Sequence, residues 1–562
     1  MENIGNDTRL RRFFLDKWHP YLWIIFIGLL LYFKTLSFDF SFFDDQELIV
    51  DNGLFLGDIF NILRAFCMKV YPNNLAMPYY RPILIVSFIL NAQAGGTAPF
   101  AYHLTNVLIH ISVASLVYIL FQRLSYRKDL SFFAAMIFLV HPTLTQAVAW
   151  IPGRNDSLLA AFAVASFIFF LKFIDLRRSA DYLLHLFFLA LALFTKESAV
   201  IVIAMYYLYL LLVKGPRALS RGFRPLILGH AAVLMLWSIP RHFVLTGALD
   251  INPYDMGRLI AFQLPAIVQL LGKTVFPLRQ SVFATMQDTH CAYGLFTIAV
   301  VGALMIFFKK KPYGTAIFGA AWLILFLVPT LIRPHAPIIS DVLEHRLYLP
   351  IIGLMIMLAE IDVVKKKFSL NNRLCAVAAF CIILLFSVRT YAHSDNFRNS
   401  LVFWENAVAA SSRSAFSHMK LGELYYRADR LDEAFSEISR GLELDHQFTR
   451  SGHYYLGFIY LKKGMSLDAE KEFRKTIALM PDNDWAYMAL GVICYKSGRH
   501  KEAEKLWLKS FEINPSNFET LRNLAIFCAE QGDYRSARFY AERLEKLGAE
   551  PPEGFLKEIN SK

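Results

Sequence analysis

Long apolar runs constrain this chain more than any other feature. Runs of about 20 apolar residues, the length needed to cross the hydrocarbon core of a bilayer, recur from residue 19 to residue 391 and then stop. Hydrophobic residues make up 56% of the 562 residues and charged residues only 19%, which is less charge than a soluble chain of this length carries. The sequence therefore predicts an all-α fold, with a polytopic membrane domain followed by a polar C-terminal domain.

Short basic loops separate the apolar runs and predict the topology. The positive-inside rule places these loops, the N-terminus included, in the cytoplasm and the C-terminal domain on the opposite side. Segment 258–276 is interpreted as re-entrant or interfacial, because a span there would put Lys309 to Lys311 on the wrong side. Eleven spans are predicted, near residues 19–37, 101–121, 131–149, 157–174, 182–194, 198–213, 226–246, 292–308, 313–332, 346–362 and 373–391.

The distribution of charge argues against a nucleic-acid partner, and the spacing of the cysteines argues against a zinc site. The net charge of +12 comes from Lys and Arg spread over the connecting loops, so the topology explains it and no nucleic-acid partner is predicted. The six cysteines show no CxxC or other metal spacing. Neither a disulfide framework nor a zinc site is therefore predicted.

A repeat of about 34 residues begins at residue 413, as is typical of tetratricopeptide repeats. Small residues recur at one position (Gly422, Gly457, Gly491 and Ala525) and at a second (Ala434, Ala469, Ala503 and Ala537), where two antiparallel helices would pack closely. We predict a membrane domain at 1–395, a connecting helix at 396–412 and a solenoid of about four repeats at 413–562. The solenoid would recruit a substrate or protein partner, and a rigid spacer is the alternative.

Two adjacent acids, Asp44 and Asp45, follow the first predicted span in the stretch "FDFSFFDDQELIVDN". Neighbouring carboxylates repel each other, which suits one of them to act as a general base, or the pair to bind a divalent cation. A solvated loop cap is the alternative. Ionisable groups at the membrane edge are costly, so each one is a functional candidate.

Further polar residues interrupt apolar sequence on the same predicted face. His103, Asn106 and His110 fall on one stripe of a helix, since their offsets are three and four. Arginine binds phosphate oxygens in a bidentate fork, so Arg154 and Arg346 are the leading phosphate ligands. The alternatives are ion pairs between Arg154 and Asp156, between Arg346 and Glu344, and between Lys196 and Glu197, and a helix-end role for His141. The candidate set is completed by Arg81 and His141 as phosphate ligands and by His103, Asp156, Lys196, Glu197 and Glu344 as supporting residues.

The ordered motifs resemble a known family. "FDDQELIVDN", "YRPILIVSFILNAQAGGTAPFAYHLTNVLIH", "VHPTLTQAVAWIPGRNDSLLA", "TKESAV" and "EHRLYLP", followed by the repeats, are similar to the transmembrane and tetratricopeptide-repeat-containing O-mannosyltransferases of the GT-C superfamily. The resemblance implies an inverting transfer of a sugar, mannose in the family, from a polyprenyl phosphate to an acceptor hydroxyl, with protein Ser/Thr as the family acceptor, on the extracytoplasmic face. Asp44, matching the first acid of the family's pair, would be the base, with Arg154 and Arg346 on the phosphate.

Two departures from that family and two other functions stay open. The repeat array is short, and "EHR" stands where the family has "ER". The short array and the near absence of acceptor sequons on the far side, Asn155 to Ser157 being one, lead us to expect a bacterial relative in the inner membrane with periplasmic repeats, or an endoplasmic reticulum protein if the source is eukaryotic. One alternative function is a lipid-diphosphate-dependent oligosaccharide ligase or polymerase. The other is a non-catalytic membrane-anchored repeat scaffold.

Overall fold

The computed structural model describes residues 13–71, 79–217, 223–246, 253–278, 280–287, 289–331, 342–445, 448–549 and 555. All regular elements formed by these residues are helices, which confirms the predicted all-α class. The chain divides into two compact units, Met1–Ser411 and Ser412–Lys562.

The helices of the first unit differ widely in length. Short 3-10 turns interrupt them, and two of these turns, Glu197–Ala199 and Glu344–Leu347, contain candidate site residues. The α-helices are His19–Tyr32, Gly53–Gly57, Asn61–Ala65, Pro82–Gly95, Pro99–Arg123, Lys128–Val140, Thr145–Ala149, Arg154–Leu176, Ser179–Thr195, Val200–Tyr209, Phe223–Leu245, Pro253–Val275, Ala292–Phe308, Gly314–Leu327, Ile351–Ala359, Asp362–Lys367, Arg373–Ser394 and Ser400–Ala410.

The described residues contain six helical stretches that are long and apolar enough to cross a membrane, so the chain is an integral membrane protein. A seventh is obtained if Lys128–Val140 and Pro142–Ala149, which meet at 51°, form one broken span. The six are His19–Ser37, Pro99–Arg123, Ile151–Leu176, Glu197–Lys214, Arg224–Leu245 and Arg373–Phe397.

The predicted count of eleven spans is therefore too high by this criterion. Three predicted spans coincide with apolar helices of only 14 to 17 residues. A fourth, 346–362, contains the nine-residue helix Ile351–Ala359. A 3-10 turn shortens two of these four helices, Gly314–Leu327 and Ile351–Ala359, and the other two are each 17 residues long. Segment 258–276 lies mostly within the helix Pro253–Val275, which is not one of the six.

The helix Pro99–Arg123 lies at the centre of the first unit, against the helices Lys128–Val140 and Arg154–Leu176. Its predicted polar stripe is buried among apolar side chains. His110 forms hydrogen bonds with the hydroxyl of Tyr348 (2.6 Å) and the carbonyl of Leu139 (2.9 Å). Asn106 donates from Nδ2 to the carbonyl of Val148 (3.2 Å). These bonds satisfy polar groups that water cannot reach at membrane depth.

The second unit consists of four antiparallel helix pairs, which confirms the repeat pattern. A Cβ on Gly457 would lie 2.7 Å from the Phe473 ring, so only a small residue allows the two helices of that pair to approach. Asp429, at the turn of the first pair, has a positive φ of 59°. The pairs are Ala415–Arg427 with Leu431–Leu444, Thr449–Lys462 with Ser466–Leu479, Asp484–Lys496 with His500–Ile513, and Phe518–Glu530 with Tyr534–Lys546.

Candidate active site

Asp45 is buried and holds the acidic loop in place. Its Oδ2 accepts a hydrogen bond from the backbone N–H of Ser41 (2.6 Å), and its Oδ1 accepts one from the Ser41 hydroxyl (2.7 Å). Trp150 donates from its indole N–H to the same hydroxyl (3.1 Å). Burial raises the pKa of Asp45, while the hydrogen bonds from Ser41 oppose that rise. Asp45 therefore fastens residues 41–45 to the turn that contains Trp150.

Asp44 is only half-buried and lies in a different neighbourhood. Burial raises the pKa of the Tyr71 phenol, the charge of Asp44 raises it further, and the charge of Arg81 lowers it. Asp44 and Arg81 thus each lie close enough to Tyr71 to act on it electrostatically. Of the two adjacent acids, Asp44 is the one that reaches the surface.

Two ion pairs hold the "TKES" segment in the same region. Arg81 binds Glu197 through a bidentate fork, with Nη2 to Oε1 at 2.6 Å and Nε to Oε2 at 3.1 Å. Lys196 binds Asp156 at 2.7 Å. Burial lowers the pKa of Lys196, and the carboxylate of Asp156 opposes that effect. The alternative of an ion pair between Lys196 and Glu197 is therefore wrong, because each binds a partner far away in the sequence.

His345 connects the "EHR" turn to these groups. Its Nε2 lies 3.8 Å from Oδ2 of Asp156, and its ring centroid lies 5.6 Å from that of Trp150. Its backbone N–H donates to Oε1 of Gln146 (3.1 Å). Four motifs that are far apart in the sequence, at 38–52, 141–156, 195–198 and 344–346, are therefore linked into one polar network.

Arg154 is completely buried, and the structure gives it a packing role. Its Nε donates to Oδ1 of Asn106 (2.7 Å) and its Nη2 to the carbonyl of Tyr102 (2.8 Å). Its Nη1 donates to the carbonyl of Ser87 (3.3 Å), and the guanidinium lies 4.8 Å from the centre of the Phe88 ring. Protein acceptors surround this guanidinium in the structure, and its role as a phosphate ligand stays a prediction. Its partner is not Asp156.

Three other candidates also lie inside the fold. His141 is buried and binds the carbonyl of Thr274 through Nε2 (2.9 Å), while its Nδ1 accepts from the N–H of Thr143. These bonds favour the helix-end alternative for His141, and its role as a phosphate ligand stays a prediction. His103 is buried beside the Phe38 ring, and Arg346 is buried in the turn Glu344–Leu347.

Glu344 binds Lys273, which is not among the candidate residues predicted from the sequence. Its Oε1 accepts from Nζ of Lys273 (2.7 Å) and from the N–H of Ser281 (3.3 Å), and the Glu344 side chain is fully buried. The expected pair between Glu344 and Arg346 is replaced by this one. The signal was present in the sequence, since Lys273 is a lysine inside a segment set aside as interfacial.

Cation binding by the acidic pair stays a prediction. Each carboxylate oxygen of Asp45 already accepts one hydrogen bond from Ser41. Within the described part of the chain, no group of three or more His, Cys, Asp or Glu side chains could hold a metal ion.

Comparisons with known proteins agree with the two-part architecture. A sequence model described as dolichyl-phosphate-mannose-protein mannosyltransferase matches residues 87–240, and a tetratricopeptide-repeat model matches residues 456–517. The protein O-mannosyl-transferase F38B6.6 of Caenorhabditis elegans is 25% identical over 452 residues, which cover 74% of this chain and 63% of that protein. This chain is similar to proteins named protein O-mannosyl-transferases. The resemblance expected from the motifs is confirmed.

Two further O-mannosyl-transferases show how the similarity is distributed. TMTC3 of Mus musculus is 22% identical over 444 residues, which cover 72% of this chain and 48% of the mouse protein. TMTC2 of Mus musculus is 35% identical over 151 residues, which cover 26% of this chain and 18% of that protein. The chain thus spans about half to two-thirds of the length of F38B6.6 and TMTC3.

The mannosyltransferase match covers only part of the polar network. Asp156, Lys196 and Glu197 lie inside residues 87–240, whereas Asp44 and Lys273 lie outside them. The roles of the acidic loop and of the segment around Lys273 therefore have to be argued from their own geometry.

Proposed function

We propose that this chain is a membrane glycosyltransferase that moves a sugar from a polyprenyl-phosphate-linked donor to a hydroxyl group of a protein acceptor. The observation that carries the proposal is the position of Asp44, which is half-buried and directly precedes Asp45 at one end of a polar network built from four separate motifs. The homologues named protein O-mannosyl-transferases support mannose as the first sugar to test.

In the proposed reaction, Asp44 is the general base. The acceptor oxygen bonds to the anomeric carbon while the bond from that carbon to the phosphate oxygen breaks, so the configuration inverts. The acceptor proton passes to the Asp44 carboxylate, and the phosphate leaves with one more negative charge than it had in the donor. Base catalysis of this kind contributes about 10²- to 10⁴-fold to the rate.

Asp45 and the ion pairs act as positioning residues in this proposal. Asp45 holds the loop through Ser41, so Asp44 keeps one orientation relative to the turn that contains Trp150. The ion pair between Lys196 and Asp156 holds residues 195–198 against the helix Arg154–Leu176. A buried ion pair costs free energy to desolvate, which is consistent with a role in positioning rather than in stability alone.

The same proposal includes an orientation and a role for the repeats. The N-terminus lies in the cytoplasm, and the acidic loop and the repeats lie on the other side, in the periplasm if the chain comes from a bacterium. The repeats recruit the acceptor protein or a partner. Protease added to sealed vesicles of known sidedness tests this orientation, and cleavage within 413–562 from the cytoplasmic side alone would refute it.

The test of function is consumption of the donor. The full chain, reconstituted in nanodiscs, is given radiolabelled mannose on a polyprenyl monophosphate, other monophosphate-linked sugars, or a lipid-diphosphate-linked sugar, each with a Ser/Thr-containing acceptor. We expect labelled acceptor with a monophosphate donor. Consumption of the diphosphate donor alone favours a ligase or polymerase, and a chain that consumes none of these donors is not the proposed enzyme.

A further inference from the structure

A cavity of about 400 Å³ lies in the first unit between the helix Pro253–Val275, the loop that follows it and the helix Ser400–Ala410. Its size falls in the range of small-molecule sites. Lys273 and His290 contribute basic groups to the lining and Asn406 an amide, and no acidic side chain is found among the described residues that line it. Its composition favours an anionic ligand.

Two lining amides have unused hydrogen-bonding atoms. Oε1 of Gln269 and Nε2 of Gln280 are buried and have no hydrogen-bond partner among the described residues, and both side chains line the cavity. A buried polar atom without a partner costs about 1–3 kcal/mol. An acceptor and a donor left open in the lining indicate a ligand with both kinds of group, as in a sugar phosphate.

The ion pair with Glu344 fixes the side chain of Lys273 and uses one of its N–H donors. One N–H of its ammonium group is directed to Glu344 at 2.7 Å, and Glu344 is itself held by the N–H of Ser281. An ammonium group has three N–H donors, so two remain for other partners. A charged residue held in this way binds a phosphate oxygen without first losing side-chain freedom.

The cavity shares its walls with the acidic loop. Phe43, directly before Asp44, packs against Phe283 and Trp404, with ring centroids 6.0 and 5.4 Å apart. The cavity is lined by residues from the same two segments, Ser281 and Asn406 among them. The cavity therefore adjoins the two segments that pack against the residue directly before the proposed base.

Apolar side chains surround the other side of the cavity. Leu278 and Tyr293 line it and are 55% and 49% exposed, and Phe296, one helical turn beyond Tyr293, is 56% exposed. In an integral membrane protein, exposed apolar groups of this kind face lipid. The ligand can thus combine a charged head in the cavity with a chain in the bilayer.

We propose that this cavity binds the phosphate group of a prenyl-phosphate lipid, with Lys273 as its ligand. The identification of that lipid as the sugar donor rests on the function proposed above, whereas the binding of the phosphate does not. In that setting the donor phosphate is a monoanionic diester, and the lipid phosphate that leaves is a more highly charged monoester. Lys273 would stabilise the charge that grows on it.

Binding is measured without sugar or acceptor, so its result is independent of any transfer reaction. The full chain in zwitterionic nanodiscs is titrated with farnesyl phosphate, farnesol or inorganic phosphate, and bound ligand is counted by native mass spectrometry. We expect farnesyl phosphate to bind, and farnesol and inorganic phosphate each to bind at least tenfold more weakly. Inorganic phosphate that binds as well as farnesyl phosphate would overturn the assignment to a lipid.

The variants remove the phosphate-binding residue Lys273 without leaving Glu344 as an unpaired buried charge. Lys273→Gln combined with Glu344→Gln keeps the pair neutral, and we expect at least a tenfold loss of affinity for farnesyl phosphate. Ala410→Phe fills the cavity and should abolish binding with all charges retained. Lys309→Gln with Glu360→Gln is the matched control, because that Lys–Glu pair (2.8 Å) is also buried but does not line this cavity. Parent-like affinity in Ala410→Phe, or in a folded Lys273 and Glu344 double variant, would overturn the proposal.

Discussion

Substitution of Arg154 separates a packing role from a ligand role. The guanidinium donates to Asn106, to Tyr102 and to Ser87, from three different nitrogen atoms. Lysine retains the charge, but its single nitrogen cannot span those acceptors. Methionine removes the cost of burying the charge and leaves the same acceptors unsatisfied. We therefore expect Arg154→Lys to be at least as destabilising as Arg154→Met, which is the reverse of the order that chemical similarity predicts.

The size of the effect follows from the contacts. Each acceptor that loses its donor costs about 1–3 kcal/mol, and three acceptors lose theirs in Arg154→Met. Relief of the buried charge returns several kcal/mol in that variant, so we expect a net loss of about 3 kcal/mol. Arg154→Lys keeps the charge buried with fewer hydrogen bonds and should lose about the same or more.

The assay is thermal unfolding of the full chain in detergent, followed by tryptophan fluorescence, together with farnesyl phosphate binding by the fraction that stays folded. Arg123→Lys and Arg123→Met are the controls, because Arg123 is exposed at the end of the helix Pro99–Arg123. Both Arg154 variants should unfold at lower temperature, while their folded fractions bind normally. A stable Arg154→Met that no longer binds, beside an Arg154→Lys that does, would refute the packing role.

Three further predictions concern the repeats and the loop. Gly491→Val places atoms within 3 Å of the Trp507 indole and should destabilise the repeat unit by about 1–3 kcal/mol, seen as faster proteolysis within 448–549. A hydrogen bond from Arg499 lowers the pKa of Glu470 to about 2, so the stability it contributes is present above pH 4.5 and is lost as the pH falls from 4.5 towards 2. Glu470→Gln should remove that pH dependence in acid unfolding curves. Asp45→Asn loses an acceptor for Ser41 and should speed proteolytic cleavage within residues 38–52, and an unchanged rate would contradict its role.

The repeat unit could be predicted from the sequence in detail, because its determinants are local. The small residues needed where two helices cross, and Gly464, Gly498 and Gly532 at turns with positive φ, recur with the period of the repeat. The grouping of Asp156, Lys196 and Glu197 was also expected, since the predicted topology placed their motifs on one face.

The function of individual cations could not be predicted in the same way. In the sequence, Arg154 is an arginine at a predicted membrane edge, which is where a phosphate ligand would lie. In the structure, the packing of three helices surrounds it with protein acceptors. The pairing of Lys273 could not be predicted from the sequence, because its partner, Glu344, is 71 residues away. Pairing at such separation depends on the fold, and composition and spacing do not contain it.

The central claim is that Asp44 removes the acceptor proton, and the rate of a single round of sugar transfer tests it most directly. The rate is compared in Asp44→Asn, in Asp45→Asn and in Asp58→Asn, an exposed acid of the same loop region. We predict a fall of about 10²- to 10⁴-fold for Asp44→Asn, with Asp58→Asn equal to the parent. We expect Asp45→Asn to lie between them, since Asp45 acts only by positioning the loop. Transfer by Asp44→Asn at the rate of the parent protein would contradict the account.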